Sequence, residues 1–338
     1  MEFYKNGNKK LTKFYNKNIE SFINTATPLW YMTCTLVVNW MFDNHVIDYL
    51  YESGSAQSGI ARCIGCILTV EMVTHWLFLC KVKSHYHPTK ESNVKHLEHE
   101  KANPQFKSDG VAYDQLKRSC VGTSNWYVIT HYTDTEVKKT AYPYWGWKPC
   151  TVCSCYKPPR CHHCPVCNVC VLKRDHHCFF ARQCVGLNNQ RYFLVFNFWA
   201  VLATAFFIPQ LVWYTKLAIW PSMYAMELFL PWTVASYFLG WSSLYTLILM
   251  SQNWSLAFYF LLAGAFFVEQ LKCIDSGKTS YELKKHDCHR YQSSYGTRRE
   301  RFACVFGETN ILLNFILPCH WFSKPTDDGI TWNSIKMH

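Results

Sequence analysis

Long apolar runs alternate with polar stretches along the 338-residue chain. Three of these runs cover residues 59–80, 192–214 and 245–270, and a shorter one follows Pro28 and fades at Asp43. A helix needs about 20 apolar residues to cross the hydrocarbon core of a bilayer. The pattern therefore predicts an all-α polytopic membrane protein with four transmembrane helices.

The fourth run is harder to delimit, because residues 227–271 are apolar over a length too great for one helix. We place the fourth span at residues 245–270 and interpret residues 215–243 as a lumenal hairpin or interfacial segment. The alternative is a separate helix at residues 228–250. That helix would put the C-terminal tail on the opposite side of the membrane.

The distribution of basic residues predicts the orientation. The chain has 34 Lys and Arg against 23 Asp and Glu, and only Arg62 and Lys216 lie outside residues 1–26, 81–191 and 272–338. Basic residues collect on the cytosolic side of membrane spans, so both termini and the central loop are predicted to be cytosolic. A soluble helical bundle is the alternative, but it leaves this asymmetry unexplained. Short spans favour the thinner membranes of the endoplasmic reticulum or Golgi.

Half of the 18 cysteines fall within residues 150–184. Residues 1–26 lack the apolar core of a secretory signal, so a reducing cytosol and a metal or catalytic role are predicted for these thiols. Three C-x2-C steps with histidines among them indicate two tetrahedral zinc sites. Thirteen candidates compete for eight ligand positions, and spacing alone does not choose among them. No internal repeat stands out.

The segment "KPCTVCSCYKPPRCHHCPVCNVCVLKRDHHCFFARQC" resembles the cysteine-rich domain of the DHHC family of protein S-acyltransferases (palmitoyltransferases). The residues that fit the family pattern without a gap are Cys150, Cys153, Lys157, Pro158, Arg160, His163, Cys164, Cys167, Cys170, Asp175, His176, His177, Cys178 and Cys184. Further on, "TSYE" at residues 279–282 resembles the family's T-T-x-E, and "RFACVFG" at residues 301–307 resembles a C-terminal motif. The family's Pro-Trp and Asn are here Phe179-Phe180 and Gln183.

The resemblance implies two interleaved structural zinc sites, each of the closed Cys₃His type. One zinc would be bound by Cys150, Cys153, His163 and Cys170. The other would be bound by Cys164, Cys167, His177 and Cys184.

The resemblance also implies a catalytic group made of Asp175, His176 and Cys178. Asp175 would orient His176, and His176 would take the proton of the Cys178 thiol. The expected reaction moves a fatty acyl group, palmitoyl, from acyl-CoA to cysteine thiols of membrane-associated proteins. The expected partners are therefore the bilayer, acyl-CoA and such proteins, and no nucleic acid.

Two further sets of residues are assigned by their position. The phosphates of coenzyme A are expected to meet Arg160, Lys173, Arg174 and Arg182, although a basic stripe beside a bilayer also suits anionic lipid. The acyl chain is expected to extend along the third span, past the small residues Ala203, Thr204 and Ala205.

The predicted order of segments is a cytosolic N-terminus (1–26), spans one and two (27–80), a polar cytosolic loop (81–149), the zinc domain (150–191), spans three and four (192–271) and a cytosolic tail (272–338). Two other classes of function are kept. A catalytically weak or inactive zinc-domain membrane scaffold would carry no covalent lipid. A transporter would use Glu71 and His75, which lie one helical turn apart in the second span.

Overall fold

The computed structural model describes residues 2–89, 127–133, 136–141, 147–222, 225–284, 291–293, 297–308, 311–317, 324–332 and 335–337. The helices in these ranges are α1 (Glu2–Met41), α2 (Ile47–Leu50), α3 (Ala56–Lys81), α4 (Gln190–Tyr214), α5 (Leu230–Phe238), α6 (Leu244–Ser276), α7 (Ser280–Lys284), α8 (Arg298–Phe306) and α9 (Ile311–Ile316). A π-helical turn at Phe42–Val46 continues α1, and a second one at Thr215–Ile219 continues α4.

The described strands form short two-stranded antiparallel sheets. They are β1 (Tyr127–Thr133), β2 (Glu136–Ala141), β3 (Lys148–Cys150), β4 (Cys155–Lys157), β5 (His162–Cys164), β6 (Val169–Val171), β7 (His176–Cys178), β8 (Gln183–Val185), β9 (Tyr291–Ser293) and β10 (Ile335–Met337). Each of the first eight strands pairs with its neighbour along the chain, and β9 pairs with β10.

Three helices of the described chain are long and apolar enough to cross a membrane: Ala56–Lys81, Gln190–Ile219 and Leu244–Ser276. These helices agree with the predicted second, third and fourth spans. The predicted first span lies in α1, where the apolar run begins only at Pro28, so its membrane crossing stays a prediction. The alternative helix at residues 228–250 is wrong, because α5 ends at Phe238 and α6 begins only at Leu244.

Helix α4 lies at the centre of the bundle and packs against both α3 and α6. Its buried face carries aromatic and small residues such as Phe193, Phe196, Ala200, Ala203 and Phe207. Because lipid is as apolar as these side chains, the packing of α4 in a bilayer depends on close van der Waals contact between the helices.

The four long helices, α1, α3, α4 and α6, contact or adjoin the cysteine-rich segment at one end of the bundle. Asn24 of α1 contacts His177, and the carbonyl of Leu79 in α3 accepts from Gln183. Helix α4 follows the segment directly, and Gln270 of α6 donates to Asp175. The chain therefore leaves this end of the bundle and returns to it twice.

Two predictions concern the region around α3. The loop at residues 81–149 contains the hairpin β1–β2 where only a polar loop was expected, and its residues 90–126 lie outside the described chain. Within α3, His75 is fully buried, and its Nδ1 lies 2.9 Å from the carbonyl oxygen of Glu71 and 3.6 Å from the Glu71 carboxylate. The pair thus lies within the protein, as a structural contact between neighbouring turns.

Candidate active site and metal centres

Three β-hairpins in the cysteine-rich segment repeat at a spacing of 14 residues. Their first strands begin at Lys148, His162 and His176, and the cross-strand register is the same in all three. Each turn ends in a residue with left-handed backbone, which are Ser154, Asn168 and Arg182 with φ of 53°, 55° and 55°. The expectation that the chain has no internal repeat is therefore wrong.

Each predicted zinc set combines the turn of one hairpin with a cross-strand pair of the next. The first set takes Cys150 and Cys153 from the first hairpin and the opposed pair His163 and Cys170 from the second. The second set takes Cys164 and Cys167 from the second hairpin and the opposed pair His177 and Cys184 from the third. The interleaving of the two sets thus follows from the repeat.

The distances within each set fit zinc. The ligand atoms of each set lie within 4.8 Å of one another, and His163 Nδ1 is 3.3 Å from the Cys153 sulfur. His177 Nδ1 lies 3.7, 3.3 and 3.8 Å from the sulfurs of Cys164, Cys167 and Cys184. Tetrahedral zinc, with bonds of about 2.0–2.3 Å, separates its ligand atoms by roughly 3.5–3.8 Å. Both sets could therefore hold a zinc ion.

A residue of α1 supports the second set. The Nε2 atom of His177 lies 3.3 Å from the side-chain oxygen of Asn24, so this nitrogen can donate a hydrogen bond while Nδ1 faces the thiols. Such a partner fixes the tautomer and the ring orientation of a metal-binding histidine. The contact also joins the zinc domain to the first long helix.

The third hairpin begins with the same residues as the second, but its turn lacks the second thiol of a C-x2-C pair. Its Cys178 occupies the position that Cys164 holds in the second hairpin. Fourteen residues after Cys167, however, the chain has Ala181. No C-x2-C pair can form in this turn, and Cys178 belongs to neither metal set. The repeat therefore leaves one buried thiol without a metal to bind.

His176 and its neighbours surround this thiol. The Nδ1 atom of His176 lies 3.0 Å from the Asp175 carboxylate, and Cys178 is the ring's other side-chain hydrogen-bond partner. Burial alone would lower the pKa of His176, but the hydrogen bonds and charges of Asp175 and Cys178 outweigh it and raise the pKa to about 10. The ring is thus a stronger base than an ordinary histidine.

Asp175 is buried and held from two later elements. Gln270 of α6 donates to its carboxylate at 2.6 Å, and Ser280 of α7 donates from both its backbone N–H and its hydroxyl. Burial would raise the pKa of Asp175, yet the contacts with His176, Ser280 and Gln270 bring it below its ordinary value. The carboxylate therefore stays charged and fixes the orientation of His176.

A cavity between the helices opens beside this group. Its volume is about 70 Å³, and the figure rises to about 780 Å³ only when the open solvent space beside it is included. The rings of Phe193 and Phe266 line it and lie 4.9 and 6.1 Å from the His176 ring. Phe180, two residues after Cys178, also lines it. The cavity therefore lies beside the group formed by His176 and Cys178.

Arg160 does not support the predicted contact with coenzyme A. Its guanidinium is buried and donates twice to the Glu282 carboxylate, at 2.8 Å each, and once to the carbonyl of Gly277. Its face covers the ring of Trp332 at 4.5 Å. The sequence could not reveal this pairing, because Glu282 lies 122 residues further along the chain.

The other three basic candidates differ in their environments. Lys173 is buried, and burial together with the charge of Arg160 lowers its pKa. Arg174 hydrogen-bonds to the thiols of Cys184 and Cys164, next to the second zinc set. Arg182 is exposed. Among the four candidates, only Arg182 therefore presents its charge on an open surface.

The Arg160–Glu282 pair predicts a large loss of stability when one partner is removed. Glu282→Ala takes the carboxylate from a buried guanidinium, which typically costs about 3–5 kcal/mol. The variant should unfold at a clearly lower temperature in detergent, as followed by thermal denaturation. Asp48→Ala is the control, because it removes the partner of Arg62 from an exposed pair and should change little. Equal melting of both variants would contradict the prediction.

Several residues that position the site were missed from the sequence. Gln183 donates to the carbonyls of Leu79 and Val82, and the buried Asn189 donates to those of Val82 and Cys184. These amides fix the third hairpin to the end of α3. Polar residues within or beside apolar spans are the signal that could have found them. The repeated "HHC" at residues 162–164 and 176–178 could likewise have revealed the hairpins.

The comparisons with known proteins agree with this site. Residues 145–287 match the family model described as DHHC palmitoyltransferase, which includes both metal sets, the Cys178 group and the "TSYE" motif. No curated protein matches the chain. Residues 145–287 thus resemble a DHHC palmitoyltransferase domain, and the family resemblance predicted from the sequence is confirmed for this part of the chain.

Proposed function

We propose that the protein is a protein S-acyltransferase that moves a palmitoyl group from acyl-CoA to cysteine thiols of membrane-associated proteins. The observation that carries the proposal is the third hairpin, which repeats a zinc-binding hairpin but leaves Cys178 outside both metal sets. That thiol contacts a histidine oriented by a buried carboxylate, and the histidine ring packs against Phe193 in the wall of a cavity between the helices. A scaffold needs zinc sites but has no use for this arrangement.

The proposed reaction has two halves. His176 takes the proton of Cys178, and the thiolate attacks the acyl thioester carbonyl. The bond between that carbonyl and the coenzyme A sulfur breaks, and the departing thiolate takes the proton from His176. A substrate cysteine then gives its proton to His176, and its thiolate attacks the acyl–Cys178 thioester. The bond between the acyl carbonyl and the Cys178 sulfur breaks, and the Cys178 thiolate takes the proton back from His176. Asp175 keeps its charge throughout and stabilises the protonated ring.

The two metal sets play a structural part in this proposal. Zinc, when bound, would connect the turn of the first hairpin to the strands of the second, and the turn of the second to the strands of the third. It would thereby contribute folding free energy to a small domain. Cys178 lies between His177 and Cys184, two ligands of the second set. A firm second site would therefore hold the nucleophile in place without bonding to it.

The cavity is proposed to hold the acyl chain. Its wall near His176 is aromatic, and burial of an acyl chain is worth about 0.8 kcal/mol per methylene. The expected path along the third span is supported at Ala203 and Thr204, which are buried and line the cavity. Ala205 is exposed on the outer face of the same helix, so the expectation that it lines the path is wrong.

This difference between neighbouring alanines gives a test of chain-length preference. Ala203→Phe should fill the cavity and shift autoacylation from palmitoyl-CoA toward shorter acyl-CoAs, by about tenfold or more, because overpacking a closed site is costly. The measurement is competition between acyl-CoAs of different lengths. Ala205→Phe is the matched control and should keep the preference of the wild type. An unchanged preference in Ala203→Phe would place the acyl chain elsewhere.

The coenzyme A end is proposed to lie in an open cleft on the other side of the third hairpin. Lys83, His85 and Arg182 line this cleft, together with Cys80 and Ala181. Lys83 and Arg182 offer positive charge to phosphates, and Arg182 ends the turn that follows Cys178. Of the residues predicted to contact coenzyme A, the proposal thus retains Arg182. Lys83 and His85 take the place of the buried Arg160 and Lys173.

The proposal keeps the predicted order of segments, with four spans and with the zinc domain and both termini in the cytosol, in the endoplasmic reticulum or Golgi. The test uses purified full-length protein with labelled palmitoyl-CoA. Label that survives denaturation and is released by hydroxylamine indicates a thioester and supports the proposal. Absence of such label, with both zinc ions bound, would favour the scaffold.

A further inference from the structure

The wall of the cavity is apolar near His176 and more polar at its other end. Near His176 the wall is made of Phe180, Phe193 and Phe266. Further in, it is lined by the polar side chains of Thr35, Asn39, Thr69, Thr204, Gln252 and Ser255. Polar groups within a membrane bundle are costly and are usually retained for a reason. A cavity that received only hydrocarbon would have no need of them.

Most of these polar groups are already hydrogen-bonded within the protein. The Thr69 hydroxyl donates to the Asn39 side-chain oxygen at 3.0 Å, and Thr204 donates to the carbonyl of Ala200 at 2.7 Å. The Gln252 side-chain oxygen is different. It is buried, in a residue only 5% exposed, and has no hydrogen-bond partner among the described residues. A buried acceptor left unpaired in this way is unfavourable, and a ligand that donates a hydrogen bond to it would remove that cost.

The depth of Gln252 matches the far end of a long acyl chain. Gln252 and Phe266 lie on the same helix, α6, and are separated by 14 residues. At 1.5 Å per residue this separation is about 21 Å. A sixteen-carbon chain fills about one leaflet, roughly 15 Å of hydrocarbon, and more when it is fully extended. A chain attached at Cys178 would therefore bring its last carbons near Gln252.

We propose that the cavity accepts an acyl chain with a hydroxyl group at its far end, and that Gln252 accepts a hydrogen bond from that hydroxyl. This inference rests on the proposed acyl-transfer function and names a substrate class for it, ω-hydroxyacyl-CoA. The Tyr31 hydroxyl, buried in the same wall, adds a second polar group to the cavity. An unmodified chain would leave Gln252 unpaired.

The test compares three acyl-CoAs in autoacylation of the full-length protein. They are palmitoyl-CoA, 16-hydroxypalmitoyl-CoA and heptadecanoyl-CoA, in which a methyl group takes the place of the hydroxyl. The expected result is that kcat/KM is at least about tenfold higher for the hydroxylated chain than for heptadecanoyl-CoA. Equal use of these two substrates would overturn the inference. No label from any of the three would instead contradict the proposed function itself.

Variants assign the effect to one residue. In Gln252→Leu the preference for the hydroxylated chain over heptadecanoyl-CoA should disappear. Asn253→Leu is the matched control, because Asn253 is the next residue of α6 and faces Thr215 on another side of the helix. Its preference should equal that of the wild type. A preference that persists in a folded Gln252→Leu protein would contradict the assignment, and the wild-type ratio decides the substrate class even if that variant fails to fold.

Discussion

The Cys178→Ser protein should bind two zinc ions per chain and reach the membrane as the wild type does, but it should form no thioester. Serine keeps the size of the side chain and leaves all eight predicted ligands unchanged. A hydroxyl of ordinary pKa is a far weaker nucleophile than a thiolate. Autoacylation and transfer should fall by at least about a thousandfold, as expected when the nucleophile of a covalent enzyme is removed.

The measurement pairs zinc per chain with hydroxylamine-sensitive label in the same preparation. His176→Ala should behave in the same way, because the ring contacts Cys178 and belongs to neither metal set. A Cys178→Ser protein that has lost a zinc ion would show that Cys178 is a ligand. Transfer that continues through another cysteine would also contradict the assignment.

Cys184→Ser should produce the opposite pattern, with zinc falling from two ions to about one per chain. Cys184 lies opposite His177 in the third hairpin, and its sulfur is 3.8 Å from that of Cys167. Metal binding in such a small domain is folding free energy, of the order of 10 kcal/mol for a structural site. The variant should therefore be strongly destabilised and should lose activity as a consequence of unfolding.

The readouts for Cys184→Ser are zinc content, thermal stability in detergent and acyl label. His177→Ala should resemble it. Cys155→Ser is a suitable control, because this cysteine lies in the same segment but belongs to neither set. A Cys184→Ser protein that keeps two zinc ions and a wild-type melting temperature would show that the second site has been assigned wrongly.

The two metal sets and three of the four spans could be predicted from the sequence, because both depend on local signals. Ligands that lie in one turn or in neighbouring hairpins are close in sequence, so spacing and family pattern bring them together. A long apolar run is likewise a local signal. The buried Arg160–Glu282 pair depends instead on the return of the chain after α6, and the charge of Arg160 alone suggested a surface.

Neighbouring residues of α4 show a second limit. Ala203 and Ala205 are the same residue type and lie two positions apart. Ala203 is nevertheless buried at the cavity, whereas Ala205 is exposed. Successive residues of a helix are rotated by about 100°, so the face that each presents depends on how α4 packs between α3 and α6. The same packing decides which polar side chains, such as that of Gln252, line the end of the cavity that lies away from His176.

The attachment of Asp175 to Gln270 and Ser280 has a consequence for biosynthesis. During synthesis, all the cysteines and histidines of the two metal sets leave the ribosome before α6 does. A chain that has not yet completed α6 and α7 lacks the groups that hold the Asp175 carboxylate. Under the proposed function, Cys178 would therefore acquire an oriented His176 only when α6 has been inserted. Incomplete or truncated chains would remain inert toward the acyl-CoA around them.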